Sequence, residues 1–332
     1  MPKNVKEQVL TILNKYKGEY KSGEELASDI GVSRTAVWKA INTLREQGFN
    51  IQGSTKSGYI LSSDTDILDK EAIAASLSEG AAAFYEIECV KEIDSTNDEL
   101  KRRAFSYEKE GLTIIAESQT KGKGRRGRSF FSPNNTGLYL SVLLRPDLSV
   151  EDSVLITTLA SVAGARAVED VNSSLKPGDV KIKWVNDLFL EGKKISGILT
   201  EGNISMETGK LDYAVLGIGF NLEIPEGTWP SDIADTAGSI FNKKAPAGTR
   251  NALATAFLNL FLDYYKKLPK LDYLDEYRNR QLTIDKNIRV ITAAGERKAK
   301  CLGVNDRCEL MVRFDGESED TTLNSGEISI RM

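Results

Sequence analysis

The chain has 332 residues, long enough for two or three domains, and its 40% hydrophobic and 28% charged content is that of a globular protein. It contains no histidine, which excludes Ser-His and Cys-His catalysis and any histidine-based metal site, leaving Lys, Arg, Asp, Glu and backbone dipoles for chemistry. Net charge is −4 overall but +3 over residues 1–60, where nine Lys/Arg face six Asp/Glu, so a basic head and an acidic body should meet different partners.

The start, Met1-Pro-Lys-Asn-Val-Lys-Glu, lacks the apolar core of a signal peptide, and no apolar stretch approaches a membrane span. Cys89, Cys301 and Cys308 form no C-x-x-C pair and read as small buried hydrophobes, so a reducing cytoplasm is the expected location. Val5, Val9, Ile12, Leu13 and Tyr16 recur at helical spacing and predict a first helix, ended by Gly18. Ser22-Gly-Glu-Glu25 is a capping box opening a second, short helix from Glu24 to Ile30. Gly31-Val32 makes the turn, and Ser33 caps a third helix, Arg34 to Gln47, stopped by Gly48. Its inward stripe is Val37, Ile41 and Leu44, so Arg34, Thr35, Trp38, Lys39 and Asn42 face outward. Alternating runs around Gly53-Ser-Thr-Lys-Ser-Gly58 predict a hairpin.

Three helices and a hairpin are the order of a winged helix-turn-helix, with the motif itself at about 23–42. Ser33, Arg34, Thr35, Lys39 and Lys56 are the candidate DNA contacts: Arg34 for a base edge or phosphate, Lys39 and Lys56 for phosphates. A small three-helix interaction module is the alternative, because +3 is weak electrostatics for DNA.

Residues 62–80 read as a linker and a short helix from Ile67 to Leu77. Strands are predicted at Tyr85–Ile93, Thr113–Glu117, Leu138–Leu144, Val180–Trp184, Lys194–Glu201 and Tyr213–Asn221, and helices at Asn97–Ala104, Ser153–Val171 and Arg250–Lys266. Hairpin spacing at 188–195 indicates antiparallel pairing, and the clustering indicates an α+β sheet with helices on one face. Short β runs with turns at Ala294-Gly295, Asn305-Asp306 and Asp315-Gly316 predict a small C-terminal barrel of SH3-like size. The expected division is 1–63 head, 64–82 linker, 83–284 catalytic domain and 285–332 barrel.

Within the middle domain, Gly122-Lys-Gly-Arg-Arg-Gly-Arg128 sets three glycines and four cations in one loop, a pattern suited to an anion. It mimics the dinucleotide-binding glycine motif and nearly mimics a P-loop, but both must open a helix. Here Ser132-Pro-Asn-Asn135 makes a turn and an apolar strand follows, which excludes both. A solvated basic hairpin tip is the bland alternative. Asp94-Ser-Thr-Asn97 lies between strand and helix, where capping or ligand binding both fit. Lys183-Trp-Val-Asn-Asp187 joins a strand end to a hairpin, and Gly217-Ile-Gly-Phe-Asn221 is an apolar strand whose glycines suggest close backbone approach.

Together with Gln119 and Lys194-Ile-Ser-Gly197, these segments resemble, in order and spacing, the bifunctional biotin protein ligases that double as biotin operon repressors. The resemblance covers essentially the whole chain. It implies a multidomain α+β protein with a class II synthetase-like centre, forming biotinyl-5′-adenylate from biotin and ATP with Mg2+ and passing biotin to a lysine of a biotin carboxyl carrier domain. It further implies operator DNA as a partner and a homodimer formed on adenylate binding. Carried over by residue, Ser95, Thr96, Asn97 and Gln119 would hold biotin. Gly122, Lys123, Gly124 and Arg125 would cover the activated carboxyl and phosphate, with Lys194 and Gly197 at the same centre. Asn186 and Asp187 would orient the site and its metal or nucleotide, Asn221 would lie near the nucleotide, and Thr228–Ile233 would close over the adenylate. Arg125, Lys194 and Asp187 are the implied catalytic set. The family usually has Arg where this chain has Lys123, which loses a bidentate fork, and Pro where it has Val185, which should alter only local stiffness. A winged-helix sensor with weak or no ligase activity, and a ligase for lipoate or another carboxylate, are the alternatives.

Overall fold

The computed structural model describes residues 4–46, 49–54, 56–62, 66–292, 295–324 and 327–329. The chain divides into two compact units, residues 1–67 with 246–250 and residues 68–245 with 251–332.

The first unit contains α1 (Val5–Lys15), α2 (Gly23–Ile30), α3 (Arg34–Glu46) and an antiparallel hairpin of β1 (Ile51–Ser54) and β2 (Gly58–Leu61). Local chemistry sets each boundary. Ser22 Oγ accepts from the Glu25 N–H at 3.1 Å while the Glu25 carboxylate accepts from the Ser22 N–H at 2.8 Å. A second capping box, Asn4 with Glu7, opens α1 and escaped the sequence reading. Gly31 closes α2 at φ 76°, a left-handed conformation that glycine adopts without steric cost. The expected stop at Gln47-Gly48 lies outside the described residues. Val9, Leu13, Leu26, Val37, Ile41, Leu44, Ile51 and Leu61 close over one another as the core. Burying each such side chain contributes about 1.5–3 kcal/mol.

In the second unit α4 (Lys70–Ser76) and α5 (Glu79–Phe84) precede the sheet. Sequence patterning predicted one helix over 67–77. Instead Leu77 is extended, and Ser78 Oγ accepts from the Ala81 N–H to start a new helix. Then come β3 (Glu86–Ile93), α6 (Thr96–Ala104), β4 (Leu112–Gln119), β5 (Gly137–Leu144), α7 (Val154–Val171), β6 (Lys181–Lys183), β7 (Asp187–Leu190), β8 (Lys193–Ile204), β9 (Leu211–Asn221), α8 (Thr249–Tyr265, whose first two residues belong to the first unit) and α9 (Leu274–Asn279). The sheet runs β3-β4-β5-β9-β8-β7-β6; β3 and β4 are parallel and every other pair is antiparallel.

Strand alternation assigns the two faces. Ile115, Leu140, Val142, Leu216, Ile218 and Phe220 pack with α7 and α8, while Ile114, Leu143, Tyr213 and Val215 pack with Leu100 and Ala104 of α6. Helices therefore cover both faces, not one as the clustering suggested. The consequence is functional, because α6 begins on the face where the glycines of β9 lie.

The C-terminal strands β10 (Asn287–Thr292), β11 (Gly295–Val304), β12 (Leu310–Phe314), β13 (Thr321–Leu323) and β14 (Glu327–Ser329) form an antiparallel sheet in the order β13-β12-β11-β10-β14. Of the expected turns, 305–306 and 315–316 fall between strands, and Ala294 lies outside the described residues. Val290, Cys301, Leu310 and Val312 join the main core, and Trp184 Nε1 donates to the Cys308 carbonyl at 3.0 Å. Burial raises the Cys89 thiol to about 12, as an inert apolar side chain would behave. Among the described residues, no helix is long and apolar enough to cross a membrane.

Candidate active site and nucleic-acid groove

The ends of β3 and β4 bring Asp94–Asn97 against Gln119. Ser95 Oγ caps α6 by accepting from the Asp98 N–H at 3.4 Å, so capping and site-building coincide. The Thr96 N–H and hydroxyl both donate to Gln119 Oε1, at 2.9 and 3.1 Å. Gln119 Nε2 donates to Ser132 Oγ at 3.0 Å, and Ser141 Oγ lies 2.6 Å from both Thr96 Oγ1 and Asn97 Oδ1. Asn97 Nδ2 in turn donates to Glu201 at 3.0 Å and to the Leu199 carbonyl at 3.3 Å. Ser95, Thr96 and Asn97 are all buried. The result is a small cup of fixed donors and acceptors with an apolar wall of Phe130, Leu140 and Leu199. Its floor is Gly217 and Gly219. A Cβ on Gly217 would run into Asn97 Oδ1, and one on Gly219 into the Phe130 ring. Close approach, not strand burial, is what those glycines serve.

A second cleft adjoins the cup and shares Lys123, Phe130, Gly197 and Leu199 with it. Arg125, Asn186, Asp187 and Lys194 line it. The cationic loop forms a tight hairpin closed by Gly124 N–H to Arg128 O at 2.7 Å and Phe130 N–H to Gly122 O at 2.8 Å, with a single 3-10 turn at Arg125–Gly127. A strand, not a helix, follows, which agrees with excluding both mimicked motifs. Arg126 sits at φ 56°, an uncommon conformation for a residue with a side chain. Lys194 Nζ is 2.7 Å from Asp187 Oδ1, Arg125 donates to Asn186 Oδ1 at 3.3 Å, and Asn186 Nδ2 donates to the Ile198 carbonyl at 2.7 Å. The Trp184–Val185 peptide is cis.

Lys123 stands where the two clefts meet, 2.5 Å from Asp98 Oδ1. Lys101 lies 3.0 Å from the same carboxylate oxygen and 2.7 Å from Glu201 Oε1. Burial alone would raise Asp98, but the Lys123 and Lys101 ammoniums outweigh it and hold its carboxyl below the ordinary range.

The structure thus brings Ser95, Thr96, Asn97, Gln119, Gly122, Lys123, Gly124, Arg125, Asp187, Lys194 and Gly197 together. Asn221 lies behind the cleft, donating to the Gly238 and Lys194 carbonyls at 3.0 and 3.4 Å. In the 228–233 segment, Trp229 meets Phe131 edge-on at 6.4 Å. Asp98, Phe130, Ser141 and Glu201 were missed. Only Asp98 and Phe130 left a trace in sequence, one beside Asn97 and the other ending the cationic loop.

In the head, Arg34, Thr35 and Lys56 line one groove between α3 and the hairpin, together with Trp38. Ser33 acts as a cap, its Oγ accepting from the Ala36 N–H at 3.2 Å, and Lys39 is exposed on α3.

Residues 89–221 match the model of the biotin/lipoate A/B protein ligase family, and residues 5–60 match that of a helix-turn-helix domain. The bifunctional ligase/repressor BirA of Bacillus spizizenii is 28% identical over 323 residues, covering 94% of this chain and 95% of that protein. BirA of Escherichia coli strain K12 is 29% identical over 318 residues, covering 95% and 94%. The biotin protein ligase from Aquifex aeolicus, solved in complex with biotin and ATP, superposes with a TM-score of 0.60 at 25% identity, covering 75% of this chain and 99% of that one.

Proposed function

We propose that this chain, which belongs to the biotin protein ligase family and carries a helix-turn-helix head, makes biotinyl-5′-AMP from biotin and ATP and transfers biotin to a lysine of a biotin carboxyl carrier domain. The same chain acts as an adenylate-dependent repressor of biotin genes. The observation that carries this reading is the adjoining pair of clefts. A ligand whose polar ring is held by Thr96, Asn97 and Gln119 would send its carboxylate toward Lys123, Arg125 and Lys194.

The carboxylate is already anionic at neutral pH, so its attack on the α-phosphorus needs no histidine base. Pyrophosphate leaves with the electrons of the broken P–O bond. What the chain supplies is charge at phosphorus: Arg125, Lys123, Lys194 and the N–H groups of the glycine loop. Mg2+ would be held chiefly by phosphate oxygens and water, neutralising charge there, with Asp187 as the carboxylate lining the cleft. In the second step the carrier lysine attacks the acyl carbon as a neutral amine, the acyl–O bond to phosphate breaks, AMP departs with its electrons, and the amine's surplus proton passes to solvent. Asp187 orients Lys194 through their ion pair. Asp187→Asn leaving both steps unimpaired would remove it from the catalytic set.

Adenylate binding orders 228–233 and the cationic loop and favours a homodimer, so that two heads reach paired half-sites. Support for a strand-edge dimer comes from β8, whose pairing with β7 ends at Gly197 while β8 continues to Ile204. Mixing the chain with ATP, biotin and a carrier domain tests the enzyme. Biotinylated carrier is expected; adenylate or biotin binding without transfer favours a sensor, and lipoylation favours a ligase for another acid. Gel shift on the biotin-operon promoter, with and without biotin and ATP, tests the repressor.

A further inference from the structure

Trp38 takes no part in the core of the head. Its neighbours on α3, Val37, Ala40, Ile41 and Leu44, are buried, while Trp38 is 53% exposed. It belongs to an outward stripe of Arg34, Thr35, Trp38 and Asn42, at spacings of three and four residues that place them on one helical face. Long helical side chains lean toward the helix N-terminus. The indole therefore covers the first turn, beside Arg34 and Thr35, at the end that a recognition helix turns toward base edges. Arg45, Lys56 and Tyr59 line the groove with it, and Glu24 is the acid on its rim.

Three cations around an exposed aromatic suit a polyanion better than an apolar protein surface. An indole offers a broad apolar face and a single N–H donor, with no acceptor. Among the base edges of the major groove, the apolar feature is the C5-methyl of thymine. We infer that Trp38 is a specificity-determining residue that packs its indole against a thymine methyl in the operator half-site. The inference rests on the operator-binding reading and adds what that reading lacks, a residue that recognises an apolar base feature. Arg34 and Lys56 supply affinity and register through phosphates or guanine, and Trp38 supplies discrimination for thymine.

The test uses the full chain with biotin and ATP to select a duplex from a random library. Affinity is then measured for wild type, Trp38→Phe and Trp38→Ala, with each thymine of the selected duplex replaced in turn by uracil, which removes only the methyl. Trp38→Ala is expected to bind about tenfold more weakly at an unchanged salt slope, and Trp38→Phe to stay close to wild type. At one or two positions per half-site, uracil should weaken wild type and leave Trp38→Ala unaffected. Unchanged ligase activity and a native melting curve show that the variants fold. The inference is overturned if Trp38→Ala binds as wild type, or if it loses affinity with no position at which the methyl and the indole are coupled. Wild type selecting no duplex would instead refute operator binding itself, and the inference with it.

Discussion

In the paired clefts of the second unit Lys123 and Lys194 each lie against a carboxylate, Asp98 at 2.5 Å and Asp187 at 2.7 Å, whereas in the head Arg34, Lys39 and Lys56 are exposed. The difference fits the proposed roles of the two regions. Adenylation, proposed for the clefts, would place charge at one phosphorus atom, where a cation helps only if it already stands there, and carboxylates hold Lys123 and Lys194 in place. Phosphates on DNA repeat along a surface, and solvated cations can find them at little geometric cost. One region invests in position, the other in number.

The comparison breaks most visibly if the cleft cations prove replaceable. Lys194→Ala should slow adenylate formation by roughly 100- to 1000-fold in a pyrophosphate-release assay, while ligand-free DNA affinity stays unchanged. A loss of under threefold would mean that its position is unimportant. Gly217→Ala should raise the KM for biotin at least about tenfold, because the new methyl displaces the Asn97 amide from its network and leaves buried polar groups unpaired. In the head, Arg34→Ala should weaken operator binding by about 5- to 150-fold, and Lys56→Ala should lower the salt slope by about one, with kcat and KM for biotinylation untouched in both.

The smallest effect concerns pH. Asp98 is held below its ordinary value of 3.8, so its contribution to stability is complete above that value and lost as pH falls through the lowered one. The difference in melting temperature between wild type and Asp98→Asn should therefore be flat at neutral pH and shrink only below 3.8. Transfer should behave differently. The acceptor lysine must lose a proton and the chain has no histidine, so its rate should climb about tenfold per pH unit below the lysine range near 10.4.

The head was legible almost residue by residue, because caps, a left-handed glycine and an apolar stripe are local signals. The cup was legible in its members but not in its wiring. Nothing near Asn97 in sequence announces that Ser141 and Glu201 will complete its hydrogen bonds, since strand pairing decides that. The placement of α6 on the opposite face from α7 was hidden for the same reason: alternation reveals that a strand has two faces, not which helix covers each. Ser78 looked like part of a linker, yet as a cap it starts a helix of its own.

In the proposed function the two adjoining clefts build and hold one acyl-adenylate. That function is tested most directly by mixing the chain with biotin and ATP in the absence of carrier and quantifying pyrophosphate and protein-bound biotinyl-AMP. One equivalent of each per chain is expected, with the bound biotin passing to carrier when that is added. Failure to release pyrophosphate, with biotin and ATP both present and the protein folded, would contradict it.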